Sequence, residues 1–243
     1  MSALLEVEGL TKRFGGVTAV NGCSFSVPEG SVTALVGPNG SGKTTAFNLI
    51  TGYQKPDAGS VSFAGMTVRR PDPTRLARHG LTRTFQQARI FSDLTCVENM
   101  VAAIQLPWHT AFQRAVRGTE QRRALELLDE FGLTRVATER AGNLSYGQKK
   151  LLEFATVLMG EPRLVLLDEP TAGVNPVLVE QIEQRVRALN ERGLTFLVVE
   201  HNMNLVMRLC DPIVVLDHGT KLAEGSPDDV RSDQRVLDAY LGG

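Results

Sequence analysis

The stretch GPNGSGKT, Gly37 to Thr44, has the pattern G-x-x-x-x-G-K-[ST] and lies between an apolar run, SVTALV, and a segment with helical apolar spacing, TTAFNLI. Residues of these types in this order bind phosphate. Glycines let successive backbone N–H groups curl around phosphate oxygens, and the following helix adds its dipole. Lys43 reaches the β- and γ-phosphates, and Thr44 offers a hydroxyl to Mg²⁺. Gly37, Pro38, Asn39, Gly40, Ser41, Gly42, Lys43, Thr44 and Thr45 are the candidate nucleotide-binding residues. A second segment, RLVLLDEP, reads as a buried strand that delivers Asp168 and Glu169 at its carboxyl end, where open α/β sheets bind ligands. Asp168 is the candidate Mg²⁺ ligand and Glu169 the candidate general base for the attacking water. A third, LSYGQ, carries an S-x-x-Q capping box, Ser145 with Gln148, opening the helix GQKKLLEFATVLM. Its hydroxyl and free N–H groups suit a phosphate without any cationic side chain.

These segments need elements to hold them. LLEVEGL and CSFSV alternate as strands, SVTALVG is a short buried strand ending in a glycine turn, TTAFNLITG is a helix stopping at Gly52, and GSVSFAG returns to period two. From about Phe91 to Leu144 the character is mainly helical. TCVENMVAAIQL opens with a capping box, Thr95 with Glu98, and TEQRRALELLDEFGL has apolar positions at three-and-four spacing. The rest, RLVLLDEP, TFLVVEH and PIVVLDHG separated by helical stretches such as PVLVEQIEQRVRALNERG, implies parallel βαβ units.

A chain of 243 residues suits one globular unit. Lys and Arg number 26 against 27 Asp and Glu, a net charge of -1, so no overall basic field exists to neutralise nucleic-acid phosphates. Cys23, Cys96 and Cys210 are far apart and lack CxxC spacing, which points to buried thiols of a reducing compartment rather than disulfides or zinc. Apolar runs such as Leu164 to Leu167 are too short to cross a bilayer, so the expected state is soluble and cytoplasmic, compatible with docking onto a membrane protein.

Taken in order, the phosphate loop, RTFQQ, LSYGQ, the acidic strand end and LVVEHNM resemble the ATP-binding cassette family over nearly the whole chain. The resemblance implies an α/β P-loop NTPase with an N-terminal antiparallel β region and an inserted helical subdomain. Residues 1–87 and 161–243 would form the core with its β subdomain, and 88–160 the helical subdomain. Phe14 in TKRFGG resembles the aromatic that stacks on adenine. Gln86 resembles the glutamine that reaches Mg²⁺ and water, with Gln87 as its rival, so that Thr44, Gln86 and Asp168 form the implied metal set. His201 resembles the switch histidine that bonds the γ-phosphate and holds Glu169. Lys43, Glu169, Gln86 and His201 are thus the implied catalytic residues. His79, His109 and His218 have no such context.

In that family two cassettes pair head to tail, and the signature of each closes over the other's nucleotide. Ser145, Tyr146, Gly147 and Gln148 are therefore implied to act in trans. One departure stands out: the family commonly has Asp where TAGVNP carries Asn175, which keeps hydrogen bonding and loses charge. RTFQQARIF, LSYGQKKLLEFA, DEPTAGVNP, VVEHNMNLVM and VLDAYLGG resemble ATP-binding subunits of bacterial branched-chain amino acid importers. The implied function is hydrolysis of Mg-ATP on the cytoplasmic face of the inner membrane. The implied partners are two permease subunits, a second cassette, identical or different, and indirectly an extracytoplasmic solute-binding protein. Alternatives are a related urea or amide importer, a soluble ATPase of this family acting on nucleic acid or ribosomes, and a regulatory cassette. The single cassette with its short insert argues against the second, and intact Lys43, Glu169 and His201 against the third.

Overall fold

The structure, a computed structural model, describes residues 2–84, 90–104 and 114–241. β1 (Ala3–Phe14) and β2 (Val17–Pro28) form a long antiparallel hairpin, and β3 (Val32–Val36) leads into the phosphate loop and α1 (Lys43–Ile50). β4 (Ala58–Phe63) and β5 (Met66–Val68) complete an antiparallel sheet in the order β2-β1-β4-β5. α2 (Pro73–Arg78), capped by the Asp72 carboxylate, precedes β6 (Leu81–Arg83). The helical stretch holds α3 (Cys96–Ala102), α4 (Arg114–Glu130) and α5 (Tyr146–Leu158). Then β7 (Leu164–Asp168), α6 (Pro176–Glu191), β8 (Thr195–Val199), α7 (Met203–Leu209) and β9 (Ile213–Asp217) alternate, and β10 (Thr220–Gly225), α8 (Pro227–Ser232) and α9 (Gln234–Leu241) close the chain.

The second sheet runs β10-β9-β3-β8-β7-β6, parallel except for β10, which folds back on β9. Every residue of β3, β7 and β8 is buried, because both faces of this sheet are covered. That is why these strands read as continuous apolar runs. Side chains still alternate. Leu164 and Leu166 of β7 join a core with α1 and the antiparallel sheet, while Val165 and Leu167 join the core on the helical side. α6 shows the expected amphipathic stripe, burying Leu178, Ile182, Val186 and Leu189.

Both capping boxes form. Thr95 accepts from the Glu98 N–H while Glu98 accepts from the Thr95 N–H, and Ser145 and Gln148 do the same at the start of α5. The helical stretch and the sheet share one apolar core, joined by an edge-to-face aromatic series: Phe131 to Phe154 at 5.2 Å and Phe154 to Phe196 of β8 at 6.3 Å. β5 and β6, three residues each, are too short to show a period in the sequence.

Phe154 is buried between α4 and the sheet. Replacing it with Ala is expected to destabilise the fold by about 3–5 kcal/mol, read as a lower urea midpoint; an unchanged midpoint would show that the aromatic series does not hold the helices to the sheet.

Candidate functional site

β3 ends at the phosphate loop, which is wedged between neighbours. Gly37 has φ +150, and a Cβ there would lie 2.1 Å from the Leu216 carbonyl oxygen of β9; at Gly42, φ +100, it would lie 2.4 Å from the Ala19 carbonyl oxygen of β2. Glycine is required at both places by contact as well as by conformation. α1 starts directly after Gly42 with no side-chain cap, so its first N–H groups are presented to an anion. Lys43 is buried, and its Nζ donates to the carbonyls of Gly37 and Pro38, both at 2.8 Å, with Ser41 Oγ at 3.4 Å. Burial pushes its pKa down, opposed by the charge of Glu169. Thr44, Asn39 and Gly40 are exposed and Thr45 is half-buried, so the loop suits a triphosphate entering from solvent.

β7 ends at Asp168, buried, and Glu169, which takes φ +48. That is an uncommon conformation for a residue with a side chain. Its N–H still donates to the Val199 carbonyl at 2.9 Å, and its Oε1 sits 2.9 Å from His201 Nε2. The acidic strand end and the turn after β8 are therefore brought together side chain to side chain. The tautomer of His201 is set by which atom carries the proton in this bond.

Asp168 has a partner that sequence reading missed. Arg83, the last residue of β6, places Nη2 2.6 Å from Asp168 Oδ2, with both side chains buried. Its Nη1 also donates to Asn48 Oδ1 at 2.7 Å and Thr51 Oγ1 at 3.2 Å, and the guanidinium lies 5.5 Å from the Phe47 ring centre. The only signal was a cation inside RTFQQ, a segment read for its glutamines. Asp168 fits Mg²⁺ as a carboxylate that any ion would share with a guanidinium. Among the described residues no cluster of three or more His, Cys, Asp or Glu could hold a metal. Phe85, Gln86 and Gln87 lie outside the described residues, as do Trp108 and His109.

Ser145 at the head of α5 is exposed. Tyr146 turns toward its own chain: the hydroxyl donates to the Ala172 carbonyl at 3.2 Å, and the ring packs against Gly173. Gly147 lies against Leu178, and Gln148 Oε1 accepts from the Ser145 N–H. Asn175, the departure in TAGVNP, is the N-cap of α6. Its side-chain oxygen accepts from the Leu178 N–H at 2.9 Å, with Pro176 in the first turn. Asp and Asn serve equally in that role, which accounts for the loss of charge without loss of the helix.

Phe14 stands at the tip of the β1–β2 hairpin, 45% exposed, with Lys12 Nζ 5.7 Å from its ring centre. It is available for stacking. His79 bonds the Arg75 carbonyl, and the exposed His218 pairs with Asp217. The three cysteines are buried and free. Burial pushes Cys23 up to about 11 and Cys210 up to about 12, so they are inert thiols.

The model of the ABC transporter family matches residues 20–172, and that of the branched-chain amino acid ATP-binding cassette transporter C-terminal region matches 220–243. The chain is similar to the high-affinity branched-chain amino acid transport ATP-binding protein BraF of Pseudomonas aeruginosa, at 41% identity over 98% of both chains. It is also similar to LivG of Salmonella typhimurium, a protein of the same description, at 38% over 98% of both. Among solved structures, an ABC transporter cassette in its ADP conformation superposes with a TM-score of 0.88 at 34% identity, covering 100% of each chain. A dimeric cassette bound to ADP and Pi superposes at 0.79 with 27% identity, covering 92% of this chain and 98% of that one.

Because Arg83 and Asp168 are buried together, removing the cation strands a carboxylate. Arg83→Met is expected to cost about 3–5 kcal/mol in chemical denaturation, whereas an exposed pair such as Arg163–Glu29 costs about 1 kcal/mol or less when Arg163 is removed. Equal small losses from the two substitutions would show that the Arg83 pair is not needed.

Proposed function

The chain belongs to the ABC transporter family of ATPases, and from that premise we propose that it powers a membrane importer for branched-chain or related hydrophobic amino acids. It binds nucleotide and hydrolyses ATP. In this reading Gly37 to Thr45 hold the triphosphate, with Lys43 releasing the loop carbonyls to meet phosphate, and Phe14 stacks on adenine. Thr44, Asp168 and Gln86 would hold Mg²⁺, which when bound would neutralise charge on the phosphates. Glu169 takes a proton from the water that attacks the γ-phosphorus, and the bond to the bridging oxygen of ADP breaks. His201 fixes Glu169 and bonds the γ-phosphate.

The observation that carries the reading is that one chain bears two unequal halves of a phosphate site. One is a glycine-wedged loop with a carboxylate and histidine poised at 2.9 Å, and the other is an exposed capped helix start at Ser145. Two cassettes arranged head to tail make both halves whole, with Ser145, Tyr146, Gly147 and Gln148 closing on the partner's nucleotide. Among the described residues no helix is long and apolar enough to cross a membrane. We place the chain peripherally on the cytoplasmic face of a bacterial inner membrane, coupled to two permease subunits and through them to an extracytoplasmic solute-binding protein. A cleft of about 540 Å³ between α2, β6, α3 and α5, lined by Leu76, Leu81, Ala103, Ile104 and Met159 among others, supports docking of a permease segment there.

Glu169→Gln is expected to bind ATP, accumulate as a closed dimer in size-exclusion chromatography and lose turnover by at least about 100-fold; turnover at the parent rate would remove Glu169 from the role of base. Ser145→Arg is expected to keep nucleotide binding by the monomer and abolish ATPase activity, and loss of monomer binding would sink the site shared between two chains. Mild solubilisation of membranes with a tagged chain should recover permease subunits and a second cassette. Recovery of soluble partners, ribosomes or DNA alone would leave the ATPase intact and overturn the importer.

A further inference from the structure

At the carboxyl edge of the sheet, β7 and β8 pair as far as Asp168 and Val199, and the Glu169 N–H to the Val199 carbonyl is the last rung. Beyond it the strands part. One continues into the loop 170–175 before α6, the other into the turn that carries His201. No backbone ladder remains to keep Glu169 and His201 within bonding distance.

Glu200 spans the opening. Its carboxylate is buried, 4% exposed, and accepts four bonds, divided between its two oxygens. Oε1 takes the Thr171 N–H at 2.8 Å and the Thr171 hydroxyl at 2.6 Å, so it holds the loop after β7. Oε2 takes the N–H groups of His201 at 3.1 Å and Asn202 at 3.4 Å, so it holds the turn after β8. The two bonds to Thr171 are short and the two to the turn are longer, and a side-chain amide, whose nitrogen only donates, cannot serve both loops. The loop held by Oε1 is the one whose Ala172 carbonyl accepts the Tyr146 hydroxyl from the head of α5.

We propose that Glu200 is a positioning residue for ATP hydrolysis, a buried pin that locks the Thr171 loop to the His201 turn and so sets the Glu169–His201 pair. Through Tyr146 on Ala172, the same pin ties the helix start offered to the partner cassette to this chain's own base. The inference rests on the ATPase reading of the site. Buried and bonded to both loops, Glu200 acts through His201 and Glu169.

The test is steady-state Mg-ATPase kinetics on the full chain, with thermal melting of each variant to choose a temperature at which all are folded. Glu200→Gln keeps the bulk and one acceptor but turns a donor toward one of the two loops. It is expected to lower kcat by about tenfold while KM for ATP stays within about twofold, because displacing catalytic groups by an ångström costs rate and leaves ground-state binding alone. Thr171→Val, which removes one donor and keeps the fold, should lower kcat in the same direction by a smaller factor. Adding Glu200→Gln to His201→Ala should cost less than about twofold further, since residues acting through one another are not additive. Unchanged kcat in Glu200→Gln and Thr171→Val overturns the proposal. So do losses that multiply with His201→Ala, or kcat and KM that deteriorate together as the fold weakens. A parent chain with no turnover would overturn the ATPase reading itself and this inference with it.

Discussion

Burying charge at the carboxyl edge of a sheet that is covered on both faces is the constraint on which the rest of this structure depends. Lys43, Arg83, Lys150, Glu153, Asp168 and Glu200 are all taken out of water around the ends of β3, β6, β7 and β8. Each such charge is costly unless it is paired or hydrogen-bonded. The solutions are individual: loop carbonyls for Lys43, a guanidinium for Asp168, and backbone N–H groups with a hydroxyl for Glu200. Burial pushes the Lys150 ammonium down, opposed by Glu153, Asp168, Glu200 and Glu169. Acidic and basic groups are thus matched across elements that are distant in sequence, and this matching sets where the loops can go.

The same arrangement leaves the groups proposed to react at the rim rather than in the core. Glu169 and His201 are more exposed than their neighbours, at 17% and 46% of their side-chain surface, and both stand one residue past a buried carboxylate. Buried carboxylates anchor, and the residues after them reach toward solvent, where a nucleotide arrives. The positive φ at Glu169 is held by the surrounding bonds, including its own N–H to Val199.

α5 links the site to its neighbours in two directions. Its exposed N-terminus is the surface proposed to face a second cassette, while its apolar side packs through Phe154 onto β8, whose end carries Glu200 and His201. Tyr146, expected from resemblance to serve the partner's nucleotide, also bonds the loop after β7 of its own chain. The helix start proposed to face a partner and the loop after the proposed base are therefore in direct contact.

What the sequence by itself determined is local. The phosphate loop, the two capping boxes, the amphipathic stripe of α6 and the apolar strands β3, β7 and β8 involve residues a few positions apart, so type and spacing are enough to state them. The acidic strand end was legible because it directly follows an apolar run, whereas His201, one residue beyond Glu200, stood out only through the family resemblance of LVVEHNM. Tertiary structure alone decided that Arg83 meets Asp168 across 85 positions, that Glu200 meets Thr171 across 29, and that Tyr146 meets Ala172 across 26. It also decided β5 and β6, three residues each and too short to carry a period of their own. These depend on which strands lie side by side in β10-β9-β3-β8-β7-β6, an order set by burial of both sheet faces at once and invisible to any window along the chain.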